Sequence, residues 1–320
     1  MKLLLVKTSS MGDVIHCLPA VSDMRRHRPD LTIDWVVEEG LADLPALHPA
    51  VNAVLPVATR RWRKAPFSGR TWGAFNAFRA AARGGGYDMA LDEQGLLRSA
   101  LLARRAHAPT HGYDRHSIRE PLASLFYDHR YAVSRARHAI DRNRTLAGLA
   151  LGYEPDGPVD YGLRVPAAEF DWLPQGPYLL AIHATSRADK LWDEANWIGL
   201  GRRAGEHGLT MVFPWGGAEE KARAKRLAAA IPSAVVAPKL TLAQATSLAA
   251  SATVAVGVDT GLVHLAAAAG APTVAIYLTS TPGLTGVMGS APAVNLGGSG
   301  AVPSVDEVWA AASDAGAIVQ

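Results

Sequence analysis

Runs of four to seven apolar, largely β-branched residues recur along the chain, separated by stretches whose apolar positions follow a helical period. KLLLVKT (2–8), TIDWVVEE (32–39), VNAVLPVA (51–58) and YDMALDEQG (87–95) read as buried strands. GDVIHCLPAVSDMRRHRP and TWGAFNAFRAAAR between them have helical character. The alternation breaks at 154–177, where EPDGPVDYGLRVP and LPQGP concentrate Pro, Gly and Asp as a linker does. It restarts with YLLAIHA (178–184), LTMVFPWG (209–216), SAVVAP (233–238), TVAVGV (253–258) and PTVAIYL (272–278), with the helical AEEKARAKRLAAAI among them. SVDEVWAAASDAG (304–316) opens with Ser304 and Glu307 in capping-box spacing and reads as a terminal helix.

Strands alternating with helices predict parallel sheets covered on both faces. The expected fold is α/β, with two doubly wound, Rossmann-like domains facing a central cleft. Ligands of such sheets bind beyond the carboxyl ends of the strands. A length of 320 residues also favours two domains.

Composition narrows the compartment. Cys17 is the single cysteine, so an intrachain disulfide is impossible and a reducing compartment is expected. The apolar run after Lys2 stops at Lys7, short of a signal-peptide core, and no stretch approaches the ~20 apolar residues of a membrane span. A cytoplasmic protein that touches membranes only peripherally is the expectation. The formal charge of +3 is uneven: residues 1–165 hold 23 Lys+Arg against 17 Asp+Glu, and the rest hold 9 against 12. The basic surplus of the first half suits an anionic ligand or surface, although chance produces such splits too.

Five stretches carry candidate chemistry. In VAVGVDTGLVHLAAAAGAP (254–272) a strand meets Asp259, Thr260 and Gly261, then an Ala-rich helix containing His264. The small residues and the helix N-terminus suit a phosphate, while an ordinary N-cap explains the same pattern about equally well. HATSRADKLW (183–192) sets Thr185, Ser186 and Lys190 after another strand, without P-loop spacing. These could bind phosphate oxygens and neutralise a leaving group, against the commoner case of a solvated loop lysine. PWGGAEEKARAK (214–225) starts a helix with Glu219 and Glu220, where acids usually serve the macrodipole and one could also meet a ribose hydroxyl. RRWRK (60–64) could hold an anion, a solvated loop being the default for a charge run. It comes without any nucleic-acid-binding motif. KTSSMGDVIHCLP (7–19) poses the same choice at Asp13, a helix-start acid or a catalytic base. The histidines are scattered without metal-ligand spacing, and no G-x-S-x-G elbow is present.

Together, VKTSSMGDVIHCLPA, WVVEEG (35–40), RRWRK, REPLASLFY (119–127), HATSRADKLW, FPWG and VDTGLVHL resemble the bacterial ADP-heptose:lipopolysaccharide heptosyltransferases over nearly the whole chain. The resemblance implies a GT-B fold with an acceptor domain at 1–165 and a nucleotide-sugar domain at 166–303. The final helix, 304–320, would pack back on the first domain. It implies metal-independent, inverting transfer of L-glycero-D-manno-heptose from ADP-heptose to a Kdo residue of Kdo2-lipid A, with no cofactor. By that resemblance Asp13 is the base and Lys190 compensates the leaving ADP, helped by Thr185, Ser186, Thr260 and Gly261. Asp259, His264 and Glu220 match positions around the donor sugar and nucleoside, and Leu240 borders the adenine. Gly12, Arg60, Arg61, Arg63, Lys64 and Arg119 match the acceptor side. Ser186 stands where a second Thr is common, and Leu191 occupies a variable position. A monomer working at the cytoplasmic face of the inner membrane of a Gram-negative bacterium follows. A paralogue adding a later heptose, a non-catalytic nucleotide or glycolipid binder, and a nucleic-acid binder on RRWRK alone are the alternatives.

Overall fold

A computed structural model describes residues 1–298 and 300–318. The chain divides into two compact units, Met1–Arg164 and Val165–Gln320, so the boundary falls inside the Pro/Gly-rich stretch.

The first unit is a parallel sheet of β1 (Lys2–Val6), β2 (Thr32–Glu38), β3 (Val51–Val57), β4 (Met89–Asp92), β5 (Thr110–Tyr113) and β6 (His129–Tyr131), in the order β3-β2-β1-β4-β5-β6. The second repeats that order with β7 (Tyr178–Ile182), β8 (Thr210–Phe213), β9 (Ala234–Val236), β10 (Val254–Val258), β11 (Thr273–Tyr277) and β12 (Ala293–Gly297), arranged β12-β11-β10-β7-β8-β9. Central strands β1, β7 and β10 are buried on both faces, which is why they read as unbroken apolar runs rather than alternating ones. Three strands escape the sequence pattern: β5 (THGY), β6 (HRY) and β12 (AVNLG). β6 and β12 are half-exposed sheet edges, and β5 carries two polar residues in four.

Chain reversal in each sheet occurs where the strand order turns back, between β1 and β4 in the first unit and between β7 and β10 in the second. These are the topological switch points of doubly wound sheets. Gly257 on β10 permits close packing there, because a Cβ would meet Ile182 at 2.8 Å and Val263 at 3.1 Å.

The terminal helix Val305–Ala315 forms with the capping box expected: Ser304 Oγ accepts from Glu307 N at 3.2 Å, and Glu307 Oε2 accepts from Ser304 N at 2.7 Å. Its expected docking on the first unit is corrected. Val308, Trp309, Ala312 and Ala315 lie on one helical face and are buried in the core of the second unit. Arg203 pairs with Asp306 at 2.5 Å, and the Trp309 ring lies 4.8 Å from His207. Leaving β12, the chain has an unfilled apolar face of its own sheet within reach, and the helix covers it. RRWRK is also corrected, from loop to the helix Thr59–Lys64.

In the first unit a buried ion pair joins the helices Leu18–His27 and Ala139–Leu151. Arg144 Nε donates to Asp23 Oδ2 at 2.6 Å, and Arg144 Nη2 donates to the Asp156 carbonyl at 2.6 Å. The start of the Pro/Gly-rich segment is thereby tied to this unit.

Candidate active site

In the second unit the loops leaving β7 and β10 meet at the switch point. Lys190, on the short turn Ala188–Lys190, donates to Asp259 Oδ2 at 2.5 Å. Ser280, just beyond β11, donates to the same oxygen at 2.6 Å. His264 Nε2 stands 3.8 Å from the other carboxylate oxygen, and Thr185 Oγ1 donates to the Asp259 carbonyl at 3.3 Å. Burial alone would push the Asp259 carboxyl up. The hydrogen bonds from His264, Lys190 and Ser280 outweigh it and hold the group well below the usual carboxylate range.

Thr260 is the N-cap of the helix Gly261–Ala268, and its hydroxyl makes no capping hydrogen bond. The first amides of that helix therefore face outward with the positive end of its dipole, beside an ammonium and hydroxyls. The resemblance groups Thr185, Ser186, Lys190, Glu220, Leu240, Asp259, Thr260, Gly261 and His264 as the donor site. Of these, the fold joins Thr185, Lys190 and His264 to Asp259, with Thr260 and Gly261 next to it in the chain. Ser186 is exposed on the same loop. Ser280 was missed; its signal, a hydroxyl after the β11 pattern PTVAIYL, is visible only once β11 is known to neighbour β10.

Glu220 and Leu240 have structural duties. Glu220 Oε2 accepts from Gly216 N at 2.6 Å and Gly217 N at 3.3 Å, capping the helix Ala218–Ala230. Leu240 is partly buried against the apolar cluster that includes Leu248 and Ala249.

The first unit has its own switch-point site. Past β1, Ser10 caps the short helix Met11–Ile15 and donates to Asp13 Oδ2 through both its backbone N–H, at 2.6 Å, and its hydroxyl, at 2.9 Å. Asp13 thus does serve the helix start, and both bonds go to one oxygen. The loop before it is clamped from β4. Gln94 Oε1 accepts from Thr8 N at 2.9 Å and Ser9 N at 3.1 Å, while Arg98 donates to Ser9 Oγ at 3.2 Å. Gly95, at φ +69°, lets the chain turn directly after Gln94.

Beneath the loop lies a buried polar set. Lys7 Nζ donates to the Glu93 carbonyl at 2.7 Å and to Asn143 Oδ1 at 3.3 Å, and Cys17 Sγ lies 3.8 Å from Glu93 Oε2. Burial pushes the Glu93 carboxyl up to about 8 against the pull of the Lys7 ammonium. Gln94, Glu93 and Arg98 were not singled out from sequence; they follow a strand end, but nothing local distinguishes them from ordinary turn residues.

The expected acceptor cations lie along two cavities, with Arg60 lining both. Arg60, Arg63 and Arg119 line one of about 560 Å³ with Arg98 and Glu120, and Glu120 Oε2 is committed to Leu97 N at 2.7 Å. Lys64 lines the other, of about 590 Å³, with Met11, Glu38 and Glu39. Arg61 also lines it and binds Glu39 through two contacts of 2.9 and 3.2 Å, so much of its charge is answered within the protein. Gly12 sits half-buried on the helix beside Asp13. Among the described residues, no group of three or more His, Cys, Asp or Glu is placed to hold a metal ion.

Two units of the strand order β3-β2-β1-β4-β5-β6, each with charged side chains at the carboxyl ends of its central strands, have the architecture of a GT-B glycosyltransferase. The sequence profile described as glycosyltransferase family 9 (heptosyltransferase) matches residues 76–309, and the chain belongs to that family. It is 47% identical over 292 residues to lipopolysaccharide heptosyltransferase 1 of Pseudomonas aeruginosa, covering 90% of this chain and 82% of that one. Against the protein so named from Salmonella typhimurium, identity is 44% over 291 residues, with 90% and 92% covered. The structure of E. coli heptosyltransferase WaaC with ADP superposes with a TM-score of 0.87 at 40% identity, covering 98% of both chains. That of WaaC with ADP-2-deoxy-2-fluoro heptose gives 0.85 with the same identity and coverage.

Proposed function

We propose that this enzyme is an inverting heptosyltransferase that moves L-glycero-D-manno-heptose from ADP-heptose to a Kdo residue of Kdo2-lipid A, in the inner core of lipopolysaccharide. The observation that carries the donor half is the set of Lys190, Ser280, His264 and Thr185 converging on Asp259 beside the Gly261–Ala268 helix terminus. Its relatives supply the sugar: the matched structures were solved with ADP and with a fluoro analogue of ADP-heptose.

In this reading the acceptor hydroxyl attacks C1 of the heptose while the bond from C1 to the diphosphate oxygen breaks. Asp13 takes the hydroxyl proton on Oδ1, the oxygen not engaged by Ser10. Negative charge grows on the departing ADP and is met by Lys190, the hydroxyls of Thr185, Ser186 and Thr260, and the amides opening at Gly261. No metal is assigned a role, and no cofactor. Glu220 reaches the ribose and Leu240 the adenine. Arg60, Arg61, Arg63, Lys64 and Arg119 hold the Kdo carboxylates and lipid A phosphates, and Gly12 lets the sugar approach the backbone.

Both sets of residues belong to one chain, and the working unit in this reading is a monomer. Among the described residues no helix is long and apolar enough to cross a membrane. The enzyme works from the cytoplasm, touching the inner membrane of a Gram-negative cell peripherally to reach a lipid-anchored acceptor. Nucleic acid is not a ligand.

The deciding experiment incubates the protein with ADP-heptose and a Kdo-terminated lipid A, and determines the product and its anomeric configuration. Transfer only to an already heptosylated core would move the assignment to a later step, and retention at the anomeric centre would sink the single-displacement mechanism.

A further inference from the structure

The cavity lined by Arg60, Arg63, Arg98 and Arg119 is flanked by apolar side chains that the fold leaves uncovered. Pro121–Phe126 forms a short 3-10 helix whose pattern is inverted for a soluble protein. Ala123 and Ser124 are buried, while Leu122 and Leu125 are 66% and 68% exposed. These leucines stand three apart, so they share one face. The helix Leu97–Ala103 packs against this segment and presents Leu101, 41% exposed, together with Leu97 four residues before it. Across the cavity the helix Thr59–Lys64 leads into Phe67, 92% exposed. The core needs none of these side chains, yet each places large apolar area in solvent.

Cations occupy the ground between. Residues 59–72 contain five Lys and Arg and no carboxylate. Glu120, the one acid lining the cavity, is already engaged by a backbone amide. Apolar side chains around a cationic centre match an interfacial membrane site, where hydrocarbon enters the acyl boundary and arginines meet headgroup phosphates. All of these apolar residues except Phe67 are leucines, which offer no aromatic face for base stacking, so the pattern suits lipid better than nucleic acid.

We propose, building on the lipid-anchored acceptor assigned above, that this face of the first unit is the docking surface for an anionic lipid bilayer. Leu101, Leu122, Leu125 and Phe67 enter the headgroup–acyl boundary, and the arginine cavity lies among the phosphates.

Sedimentation with acceptor-free vesicles tests it. The full chain is expected to bind vesicles of phosphatidylglycerol and phosphatidylcholine more tightly than phosphatidylcholine alone, with the difference lost in high salt. Replacing Leu122 and Leu125 together by Ser, both being exposed, should weaken vesicle binding by about tenfold or more. The same variant should keep wild-type kcat and KM on a soluble, deacylated Kdo acceptor. A Phe67→Ser variant supplies a second reading from the opposite flank. Unchanged binding by both variants, or no wild-type binding to anionic vesicles, would overturn the proposal. So would a concentration-dependent dimer abolished by the double substitution without any vesicle binding. Vesicle binding that depends on the leucines in a protein that transfers no heptose would support the docking surface and reject the heptosyltransferase reading instead.

Discussion

Lys190 Nζ lies 2.5 Å from Asp259 Oδ2, across the two strands where the second sheet reverses its order. The lysine is thereby held at the strand ends by a carboxylate that shares its remaining capacity with Ser280 and His264. A pre-placed ammonium need not be ordered when charge develops on a leaving group, which is where electrostatic catalysis draws its advantage.

Replacing Lys190 by Ala is expected to lower kcat about 10²–10³-fold and to weaken ADP binding. It also leaves Asp259 short of a partner in a largely buried place. Asp259 contributes stability that is present above the ordinary carboxylate pKa and lost as pH falls through its depressed folded value, so the variant should lose part of that advantage at neutral pH. Steady-state kinetics, ADP calorimetry and thermal unfolding read the three effects separately. Wild-type turnover in the variant would remove Lys190 from the mechanism, and abolition of wild-type activity by a chelator would overturn metal-free compensation of the leaving group.

Asp13→Asn should keep the helix start, since an amide oxygen can still accept from Ser10, while it loses the proton acceptor. The expectation is a fall in kcat of about 10²–10⁴-fold with ADP-heptose affinity retained. Near-normal turnover would leave Asp13 a capping residue only.

The double substitution of Arg60 and Arg63 by Ala should raise the KM for the acceptor and flatten its salt dependence, with the donor KM unchanged. Both guanidinium groups line one cavity with Arg98 and Arg119, so their loss removes half of its arginines. Unaltered acceptor kinetics would move the acceptor elsewhere.

Glu93 predicts an opposite pH dependence from Asp259. Its folded carboxyl is raised to about 8, so its contribution to stability is fully present below the ordinary value near 4.5 and is lost as pH rises through about 8. Glu93→Gln should therefore unfold at a higher temperature than wild type at pH 8.5, with the gap closing at pH 5. A gap that is constant across pH would show that burial does not hold the proton on Glu93.

Arg144→Ala removes the 2.6 Å partner of buried Asp23 and leaves the longer Arg26 contact at 3.7 Å. A loss of about 3–5 kcal/mol in denaturant unfolding is expected. A cost under 1 kcal/mol would mean that water reaches the pair.

Much of this site was legible in the sequence because its parts are local. A buried strand followed by Asp259, Thr260 and Gly261 has to present a helix start at the strand's carboxyl end, and the same holds for Thr185 through Lys190 after β7. What could not be read was everything carried by the neighbouring strand. Ser280 reaches Asp259 only because β11 pairs with β10, and Gln94 clamps Thr8 and Ser9 only because β4 pairs with β1. Short polar edge strands such as β6 were equally silent, their backbone pairing having no apolar signature.

Hydrophobic period and turn chemistry by themselves determined the two doubly wound units, the break within 154–177, the capped terminal helix and the strand ends that bear the charged groups. Only the tertiary structure decided which unit receives that terminal helix, which cations share a cavity and which are answered internally, as Arg61 is by Glu39. KTSSMGDVIHCLP shows the division well. Its residues specify a capped helix start at Asp13, whereas the placement of that carboxylate on a loop clamped by Gln94 and Arg98 comes from β4 lying beside β1. The physical reason is range: caps and periods act over a few residues, while charge compensation and strand pairing join positions such as Arg61 and Glu39, 22 apart, or Thr8 and Gln94, 86 apart.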